Sequence, residues 1–418
     1  MWRYADEELR SKLNARGAVV IKGPKWCGKS TTAMQAAKSQ VLLLSPEDIV
    51  RYRNIFETRP KALLNGDTPR LIDEWQLIPE LWDAVRYEVD TRSEPGQFIL
   101  TGSATPVDTT KIHHSGLGRF SVLHMRTMSL FESQESTGEV SLGGLFSAPE
   151  EITGESKLDL EALAYSLVRG GWPEAVQQTG DSALQAARDY ITILAESDLS
   201  GYTGVRRNAG KIKALLRALA RNISQQVPIT TIRKDMSNNG EALSDDSVAS
   251  YINALKDMYV VEDLPAWNPN LRSKAAIRTS DTRHFTDPSI AAAALRISPA
   301  SLLEDLETYG LFFESLVVRD LRIYASQLSG TVYHYRDSNG KEADAVLHLD
   351  NGKYALVEVK LRSPSAILDA AGKLKAIEEN LNTDAMGKPS FRMVVTAGDF
   401  AYRMKDGTYV VPLACLRA

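Results

Sequence analysis

The chain has 418 residues, of which 43% are hydrophobic and 24% are charged, with a formal net charge of −4. It is too long for a single hydrophobic core, so we expect two to four domains. The acidic balance excludes overall attraction to nucleic acid or to an anionic membrane, and such binding requires a local patch. The two cysteines exclude a disulfide framework, and no apolar run is long enough to span a membrane. These features predict a cytoplasmic globular protein.

The strongest motif lies near the amino terminus. Residues 23–30 read G-P-K-W-C-G-K-S, with an apolar strand at 18–21 before them and a helix-forming run at 31–37 after them. In such a P-loop the main-chain N–H groups surround the phosphates of a nucleotide, and an ordinary tight turn is the alternative. Lys29 is expected to reach the β- and γ-phosphates and Ser30 to bind Mg²⁺. The predicted ATP-binding residues are Gly23, Pro24, Lys25, Trp26, Cys27, Gly28, Lys29, Ser30 and Thr31.

Acidic and hydroxyl residues end the next two predicted strands. Asp73 and Glu74 follow Leu71 and Ile72. Asp73 is predicted to hold Mg²⁺ through water and Glu74 to polarise the attacking water, although a solvated Asp-Glu turn is the alternative. The strand at 98–100 ends in Thr101-Gly102-Ser103, where Thr101 or Ser103 is predicted to sense the γ-phosphate or else to cap the next segment.

The pattern between these motifs predicts the sheet. The apolar run at 41–44 predicts a strand buried on both faces, Ser45-Pro46 predicts the start of a helix, and residues 79–89 predict an amphipathic helix. Alternating strands and helices with short connections form a parallel sheet with crossover helices on both faces. The first domain is therefore predicted to be a doubly wound α/β domain.

The segments D-E-W-Q at 73–76, P-E-L at 79–81, I-L-T-G-S at 99–103 and G-R-F at 118–120 resemble, together, a large family of prokaryotic AAA-type ATP-binding proteins. The resemblance implies a winged helix and a restriction-endonuclease-like domain after the ATPase core. It also implies that Arg119 contacts the γ-phosphate, in cis or from a neighbouring subunit. An ordinary surface arginine is the alternative. A second arginine finger and a sensor-2 signature are not recognisable.

The middle of the chain is predicted to be helical. Residues 133–157 are rich in Ser, Glu and Gly and predict a loop or linker. Residues 158–198 predict helices broken at 169–173, which resembles the helical lid of the family. From that lid Arg169 could approach the nucleotide, although Gly170-Gly171 equally suits a tight interhelical turn.

Three helical segments from about Lys211, Pro228 and Ser244, then a strand at 259–262, follow the order of a winged helix-turn-helix. The third helix begins with Asp245-Asp246, whose charge opposes contact with a phosphate backbone. A packing or interaction surface is therefore the alternative to DNA binding. The basic residues that could still contact phosphates are Arg233, Lys234, Arg272 and Lys274.

The last part of the chain predicts a helix from about Leu302 that carries Glu314, three strands, a helix and a further strand. The predicted segments after the first helix are 332–335, 343–349, 354–360, 366–379 and 393–396. With Asp344 on one strand and Glu358-Val359-Lys360 on the next, this order resembles the PD-(D/E)XK nuclease core. Strand periodicity places Glu358 and Lys360 on one face, and Asp344 can meet Glu358 across the ladder.

The predicted chemistry of this domain is metal-dependent. Glu314, Asp344 and Glu358 are predicted to hold Mg²⁺, as are Ser30 and Asp73 at the P-loop. A bound metal lowers the pKa of its water, and Lys360 is predicted to position that water or to offset charge. Alternating charge on an exposed strand is the alternative. The predicted catalytic residues are Lys29, Glu74, Thr101, Arg119 and Lys360.

The predicted fold class is α/β, with an AAA-like P-loop NTPase domain at 1–135, a linker and helical lid at 136–205, a winged helix at 206–290 and an α/β restriction-endonuclease-like domain at 291–418. The predicted function is a Mg²⁺-dependent ATPase whose nucleotide state controls the last two domains, acting on DNA or RNA. The alternative is a slow ATP-dependent switch or scaffold whose last domain binds a protein partner without cleaving. ATP and Mg²⁺ are the predicted cofactors. Assembly into a homo-oligomer is possible, and no membrane partner is expected.

Overall fold

The structure is a computed structural model that describes residues 1–102, 112–198, 208–238, 243–268, 280–337, 340–381 and 386–418. The described residues form two compact units. Unit 1 consists mainly of Met1–Thr127 together with Asn253–Val260, and most of the remaining residues form unit 2. The predicted division into four domains stays a prediction. In the described part of the chain, no helix is long and apolar enough to cross a membrane.

Unit 1 alternates strands and helices. Its elements are α1 (Tyr4–Ala15), β1 (Ala18–Lys22), α2 (Lys29–Ala36), β2 (Ser39–Leu42), α3 (Pro46–Thr58), α4 (Pro60–Leu64), β3 (Arg70–Asp73), a 3₁₀ turn (Trp75–Leu77), α5 (Leu81–Arg92), β4 (Phe98–Gly102) and β5 (Phe120–His124). The strands form a parallel sheet in the order β2-β3-β4-β1-β5. The predicted parallel sheet is therefore confirmed.

Each face of this sheet is covered by its own apolar cluster. Val20 of β1 packs in a cluster with Val85 of α5, whereas Val19 packs in a second cluster with Leu9 of α1. Side chains alternate between the faces of a strand, so an uninterrupted apolar strand needs helices on both sides. The predicted P-loop begins directly after β1, and Asp73 and Thr101 lie at the carboxyl ends of β3 and β4. The buried sheet therefore positions these predicted site residues.

The strand predicted at 41–44 is placed differently in the structure. β2 begins at Ser39 and ends at Leu42, lies at the edge of the sheet and buries only Val41 fully, and Leu44 beyond it is 66% exposed. An apolar run does not distinguish a central strand from an edge strand, because that difference depends on neighbouring strands. The helix predicted after Ser45 is confirmed, and the Ser45 hydroxyl accepts a hydrogen bond from the Asp48 N–H.

Unit 2 contains a mainly helical part followed by a mixed sheet. Its elements are β6 (Val140–Ser141), α6 (Leu142–Leu145), β7 (Gly154–Glu155), α7 (Leu160–Arg169), α8 (Pro173–Val176), α9 (Gly180–Ile193), α10 (Ala209–Arg221), α11 (Ile229–Asn238), α12 (Asp245–Asp257, whose last residues belong to unit 1), α13 (Pro288–Leu295), α14 (Pro299–Glu304), α15 (Leu306–Gln327), β8 (Gly330–Arg336), β9 (Glu342–Leu349), β10 (Tyr354–Lys360), α16 (Pro364–Asn380), β11 (Phe391–Thr396), β12 (Phe400–Arg403), β13 (Tyr409–Pro412) and β14 (Leu416–Arg417).

The large sheet of unit 2 has the strand order β7-β12-β13-β11-β10-β9-β8. β8, β9 and β10 are antiparallel neighbours, whereas β10 pairs with β11 in parallel across the crossover helix α16. The helix–three strands–helix–strand order therefore has the connectivity expected from the sequence. The strands β12 and β13 extend this sheet beyond the predicted elements, and β14 pairs with β6 in a separate two-stranded sheet.

The stretch predicted as a loop or linker at 133–157 carries two short strands. β6 pairs in parallel with β14, and β7 pairs antiparallel with β12. Backbone hydrogen bonding therefore ties this stretch to the carboxyl-terminal sheets. The sequence did not predict these strands because the stretch is polar and each strand is only two residues long.

The three helices α10, α11 and α12 occur in the predicted order. The strand predicted at 259–262 is reduced to antiparallel bridges, which join Val261 to Phe285 and Leu264 to Thr282. Arg233 of α11 forms an ion pair with Asp245 at the start of α12. The predicted phosphate contacts Arg272 and Lys274 lie outside the described residues, as does Ser103.

Candidate nucleotide-binding site and carboxylate cluster

The loop from Gly23 to Lys29 has a backbone that only glycine fits at two positions. A Cβ atom on Gly23 would lie 2.0 Å from the carbonyl oxygen of Met125. Gly28 precedes α2 with a φ of 97°, in the left-handed region that favours glycine. The loop therefore closes tightly between the end of β1 and the N-terminus of α2, where backbone N–H groups are available to an anion.

The side chains of the loop divide into inward and outward groups. The buried Lys29 donates from Nζ to the carbonyl oxygens of Gly23 (3.1 Å) and Pro24 (2.7 Å). Cys27 is also buried, with Sγ 3.7 Å from the Met125 oxygen. Trp26 and Thr31 are exposed and Lys25 is half-buried. Lys29 is therefore the ammonium group held within the loop.

Ser30, Asp73 and Thr101 come together beside the loop. The Ser30 hydroxyl donates to Asp73 Oδ1 at 2.9 Å, and the Thr101 hydroxyl donates to the same oxygen. β3 and β4 are neighbours, and their register places Asp73 opposite Thr101. The Ser30 and Asp73 oxygens suit Mg²⁺, which prefers oxygen ligands and keeps much of its water shell. In this structure the side chain of Thr101 is hydrogen-bonded to Asp73.

Glu74 follows β3 in an unusual conformation. Its φ of 56° and ψ of 41° lie in the left-handed region, which is uncommon for a residue other than glycine. Its carboxylate accepts a hydrogen bond from the Gln76 side-chain amide. A Cβ on Gly102 would lie 2.5 Å from Gln76 Oε1, so the glycine after Thr101 makes room for this amide. Gln76 was not predicted as a site residue.

Arg119 lies at the opposite end of the sheet. Its carbonyl oxygen accepts from the N–H of Ala18, the first residue of β1, whereas the loop begins after the last residue of β1. Five strand residues separate the two ends by roughly 16 Å. The Arg119 guanidinium pairs with Asp90 at 2.6 Å. The predicted contact in cis is therefore wrong, and a contact with the nucleotide of a neighbouring subunit stays a prediction.

Arg3 contacts the loop, although its sequence context gave no signal. Its buried guanidinium donates to the carbonyl oxygens of Cys27 (3.0 Å), Arg126 (2.9 Å) and Thr127 (3.1 Å). These three hydrogen bonds fasten the chain before α1 to the loop and to the segment after β5. A lone arginine outside any motif cannot be singled out from sequence.

The structure brings the predicted carboxylates of unit 2 into one neighbourhood. Glu314 of α15, Asp344 of β9 and Lys360 of β10 line a pocket of about 450 Å³. Lys360 Nζ lies 2.8 Å from Glu358 Oε2 and 3.6 Å from Asp344 Oδ2. Asp344 Oδ2 also accepts from the N–H of Val359 at 2.7 Å. The Lys360 ammonium therefore stands between the two strand carboxylates.

Burial shifts the titration of these groups. It raises the pKa of Glu314 well above its usual value, and the negative charge of Asp344 raises it further against the opposing charge of Lys360. Burial followed by the charge of Asp344 raises the pKa of Glu358 to about 8. Burial alone would lower the pKa of Lys360, but the charges of Asp344 and Glu358 raise it. Burial therefore favours the uncharged forms of Glu314 and Glu358, whereas the two strand carboxylates favour the charged form of Lys360.

The arrangement does not form a ready metal site. Among the residues that the structure describes, no group of three or more His, Cys, Asp or Glu side chains could hold a metal ion. Glu358 Oε1 is buried and has no hydrogen-bond partner, as expected of an oxygen that awaits a ligand. The Lys360 ammonium, however, already serves as the cation for Glu358 and Asp344. The predicted metal role of Glu314, Asp344 and Glu358 stays a prediction.

The raised pKa of Glu358 predicts a pH-dependent stability. Its folded pKa of about 8 exceeds the ordinary value of 4.5, so its contribution to stability is present below pH 4.5 and is lost as the pH rises through 8. Glu358→Gln should therefore lose less stability than the wild type between pH 5 and pH 9, by up to a few kcal/mol. Urea unfolding at both pH values measures this. Glu379→Gln, an exposed carboxylate on α16, is the matched control, and an unchanged slope in Glu358→Gln would contradict the assignment.

Several pocket-lining residues were not predicted. The segment between α10 and α11 contributes part of the wall and is held in place by the Ser224 hydroxyl, which donates to Leu311 O at 2.9 Å, and by Gln226, which bonds His334 at 3.1 Å. These residues are about a hundred positions away from the acidic strands, so no sequence spacing relates them. The unpredicted lining residues are Ser224, Gln225, Gln226, Thr282, Leu311, His334, Tyr335, Arg336, Glu342 and Ala343.

Arg169, a candidate nucleotide contact, is paired within unit 2. Its guanidinium donates to both oxygens of Glu135, at 3.0 and 2.7 Å. Burial would raise the pKa of Glu135, but the hydrogen bond and charge of Arg169 outweigh it and the pKa is lowered. A Cβ on Gly171 would lie 2.1 Å from the Met128 oxygen, so the glycines serve a tight interhelical turn.

Comparison with known families gives matches to three consecutive parts of the chain. Residues 15–134 match the AAA domain family. Residues 160–301 and 309–416 match two domains of unknown function, DUF8612 and DUF4143. With the loop, Ser30 and Asp73 in place, the first match defines unit 1 as carrying an AAA-type P-loop ATPase domain.

Two similar curated proteins are Rv2008c of Mycobacterium tuberculosis and Mb2031c of Mycobacterium bovis, each named an uncharacterized protein. Each is 26% identical over 369 residues, which covers 87% of this chain and 75% of the relative. Among solved structures, the Walker-type ATPase PABY2304 of Pyrococcus abyssi has 14% identity and a TM-score of 0.42, covering 70% of this chain and 94% of that one. AMPPCP-bound DnaA from Aquifex aeolicus has 12% identity and a TM-score of 0.29, covering 60% and 85%.

Proposed function

We propose that the protein is a Mg²⁺-dependent ATPase whose nucleotide state controls a winged helix, formed by α10 to α12 and the bridges after them, and a PD-(D/E)XK-like carboxyl-terminal domain. The contact of Ser30 with Asp73 at the mouth of the loop is the observation that carries this proposal. A strand-end carboxylate facing the P-loop hydroxyl is what Mg²⁺–ATP chemistry requires. Mg²⁺ bound there would neutralise charge on the phosphates.

The residues of the loop have separate roles. The backbone N–H groups between Gly23 and Thr31 bind the phosphates, and Lys29 turns from the loop carbonyls to the β- and γ-phosphates. Glu74 orients the attacking water and accepts its proton, while Thr101 holds Asp73 in place. Arg119, exposed at the far edge of the sheet, is proposed to act on the nucleotide of a neighbouring copy in a homo-oligomer.

Lys29→Ala is expected to weaken the binding of Mg²⁺–ATP at least tenfold, because the ammonium enclosed by the loop is lost. Isothermal titration calorimetry with ATP and Mg²⁺ measures the change. Lys38→Ala, an exposed lysine just after α2, is the matched control and should bind as the wild type does. Equal affinity in Lys29→Ala and the wild type would remove the basis of the proposed ATP site.

A second candidate function is a slow ATP-dependent switch whose carboxyl-terminal domain binds a partner without cleaving. The position of Lys360 favours it, because an ammonium group that already neutralises Asp344 and Glu358 competes with a divalent metal. Nucleic acid, DNA or RNA, is the substrate if the domain cleaves, and a protein is the partner if it does not.

Two measurements separate these functions. A single-turnover experiment measures how fast the bound ATP is hydrolysed: an enzyme hydrolyses it quickly and continues to turn over when ATP is in excess, whereas a switch hydrolyses its bound ATP about once per long dwell. A Mn²⁺ titration of the wild type and of Asp344→Ala tests the second acidic site directly. Loss of a Mn²⁺ site together with loss of strand cleavage supports the nuclease function, and identical titrations of both proteins support the switch.

A further inference from the structure

The turn that follows β3 holds a glutamine side chain against the carboxylate of Glu74. We propose that Gln76 is a positioning residue for ATP hydrolysis, which directs the Glu74 carboxylate toward the attacking water and leaves the binding of ATP to other groups. This inference rests on the proposed role of Glu74 and deepens it. It follows from the shape of the turn, from the hydrogen bonding of the Gln76 amide and from the space that Gly102 provides.

The turn brings the side chain of Gln76 back to Glu74. Glu74 adopts its left-handed conformation directly after β3, and its carbonyl oxygen accepts a hydrogen bond from the N–H of Leu77 at 3.0 Å. Trp75 anchors the turn, since it is 4% exposed and packs against Trp82 with ring centroids 5.0 Å apart. The backbone on both sides of Gln76 is therefore held in place.

The carboxamide of Gln76 is hydrogen-bonded on one side only. Its nitrogen donates to Glu74 Oε2, and the nitrogen must face Glu74 because an ionised carboxylate only accepts hydrogen bonds. Its oxygen Oε1 is buried, and no group in the described part of the chain donates to it. A buried acceptor without a donor costs free energy, so an apolar side chain of the same shape would suit the fold better. The bond to Glu74, and not stability, therefore explains the amide.

Gly102, the last residue of β4, makes room for this amide. A Cβ atom on Gly102 would lie 2.5 Å from Oε1 and 3.3 Å from Cδ of Gln76. Thr101, the residue before it, is hydrogen-bonded to Asp73, the residue before Glu74. The amide therefore lies at the ends of β3 and β4, beside a residue that is proposed to hold Mg²⁺ next to the γ-phosphate.

The direction of the Glu74 carboxylate matters because of the step in which it acts. The water oxygen forms a bond to the γ-phosphorus while the bond from that phosphorus to ADP breaks, and ADP leaves with the electron pair. One proton of the water passes to Glu74. A misplacement of about 1 Å at such a step can cost about a hundredfold in rate, whereas the groups that bind the phosphates are unaffected. Gln76 therefore contributes to kcat and not to the affinity for ATP.

The test measures the turnover of Mg²⁺–ATP by the full chain and by Gln76→Met, in which a side chain of similar shape has no hydrogen-bond donor. The variant is expected to lower kcat about tenfold to a hundredfold, with KM within a few-fold of the wild type and an equal or higher melting temperature. Gln40→Met, at an exposed glutamine of β2, is the matched control and should behave as the wild type does.

A double-mutant cycle shows whether Gln76 acts through Glu74. Adding Gln76→Met to Glu74→Gln should lower kcat no further, because the carboxylate that the amide positions is already absent. Gly102→Ala tests the same contact with Gln76 still present. Its methyl group collides with the end of a flexible side chain, so it should displace the amide and lower kcat at an unchanged KM, and it should add little to Gln76→Met.

The other outcomes overturn the inference. If Gln76→Met turns over ATP as fast as Gln40→Met, or if its effect multiplies with that of Glu74→Gln, Gln76 does not act through Glu74. A lower melting temperature at an unchanged kcat gives Gln76 a structural role only. If Glu74→Gln itself turns over ATP at the wild-type rate, the proposed role of Glu74 fails. A slow Glu74→Gln together with a fast Gln76→Met removes only the positioning role of Gln76.

Discussion

Replacing Glu74 by glutamine is expected to lower the rate of ATP turnover about 10²–10⁴-fold while the affinity for Mg²⁺–ATP stays within a few-fold of the wild type. Glutamine has the shape of glutamate but cannot accept the proton of the attacking water. The groups that hold the phosphates, Lys29 and the loop backbone, are unchanged. A steady-state phosphate-release assay combined with calorimetric titration separates the two effects.

The matched control for this experiment is Glu47→Gln. Glu47 is an exposed acid in the first turn of α3, so the control removes the same charge from unit 1 without touching the site. It should hydrolyse ATP at the wild-type rate. If Glu74→Gln turns over ATP as fast as the control, Glu74 does not activate the water, and the rate must depend on other groups.

The strands next to the loop were predictable because two independent signals agreed there. The G-x-x-x-x-G-K-S motif requires a strand before it and a helix after it, and β1 and α2 occur at those places. β3 was predicted from only two apolar residues, but the acids after them marked its end. At residues 41–44 the apolar run was the only signal, and the structure places β2 earlier and at the edge. Hydrophobicity alone determines neither which strands lie beside a segment nor how deeply it is buried, and Leu44 at the end of this run is exposed.

The residues of the candidate sites likewise divide into those that the sequence could predict and those that it could not. The meeting of Asp73 with Thr101 follows from a general property of parallel sheets, whose strand ends lie at one edge, and it could be predicted. The contacts of Arg3 with the loop and of Gln76 with Glu74 depend on side-chain directions that no motif records. Arg119 shows the opposite case, in which a resemblance suggested a role that the sheet direction excludes in cis.

The acidic cluster of unit 2 was predicted in part. Strand periodicity put Glu358 and Lys360 on one face, and α15 brings Glu314 to the same pocket. Periodicity gives no information about protons or charge balance. The raised pKa of Glu358 and the place of Lys360 between two carboxylates follow from burial, which only the folded chain shows. Sequence periodicity therefore cannot distinguish a carboxylate site that is ready for a metal ion from one in which the Lys360 ammonium already occupies the place of the cation.

A buried charge cluster in unit 2 is expected to be its most sensitive point. Arg319 of α15 is 2% exposed and pairs with Asp287 at 3.1 Å and with Asp320 at 2.7 Å. The same carboxylates accept hydrogen bonds from the N–H groups of Gly171 (3.0 Å) and Leu130 (2.9 Å). Every one of these partners lies within unit 2, so the cluster joins α15 to the start of α13 and to the turn before α8.

Arg319→Met should lower the free energy of unfolding by about 3–5 kcal/mol, because it leaves two buried carboxylates without a counter-charge. Urea unfolding measures the loss, and Arg221→Met, at a 55% exposed side chain paired with Asp235, should cost less than about 1 kcal/mol. Burial already raises the pKa of Asp320 to about 6, and removal of Arg319 raises it further, so the deficit should grow above pH 6. Adding Asp287→Asn and Asp320→Asn to Arg319→Met should recover part of the loss. A deficit as small as that of Arg221→Met would mean that water reaches the cluster.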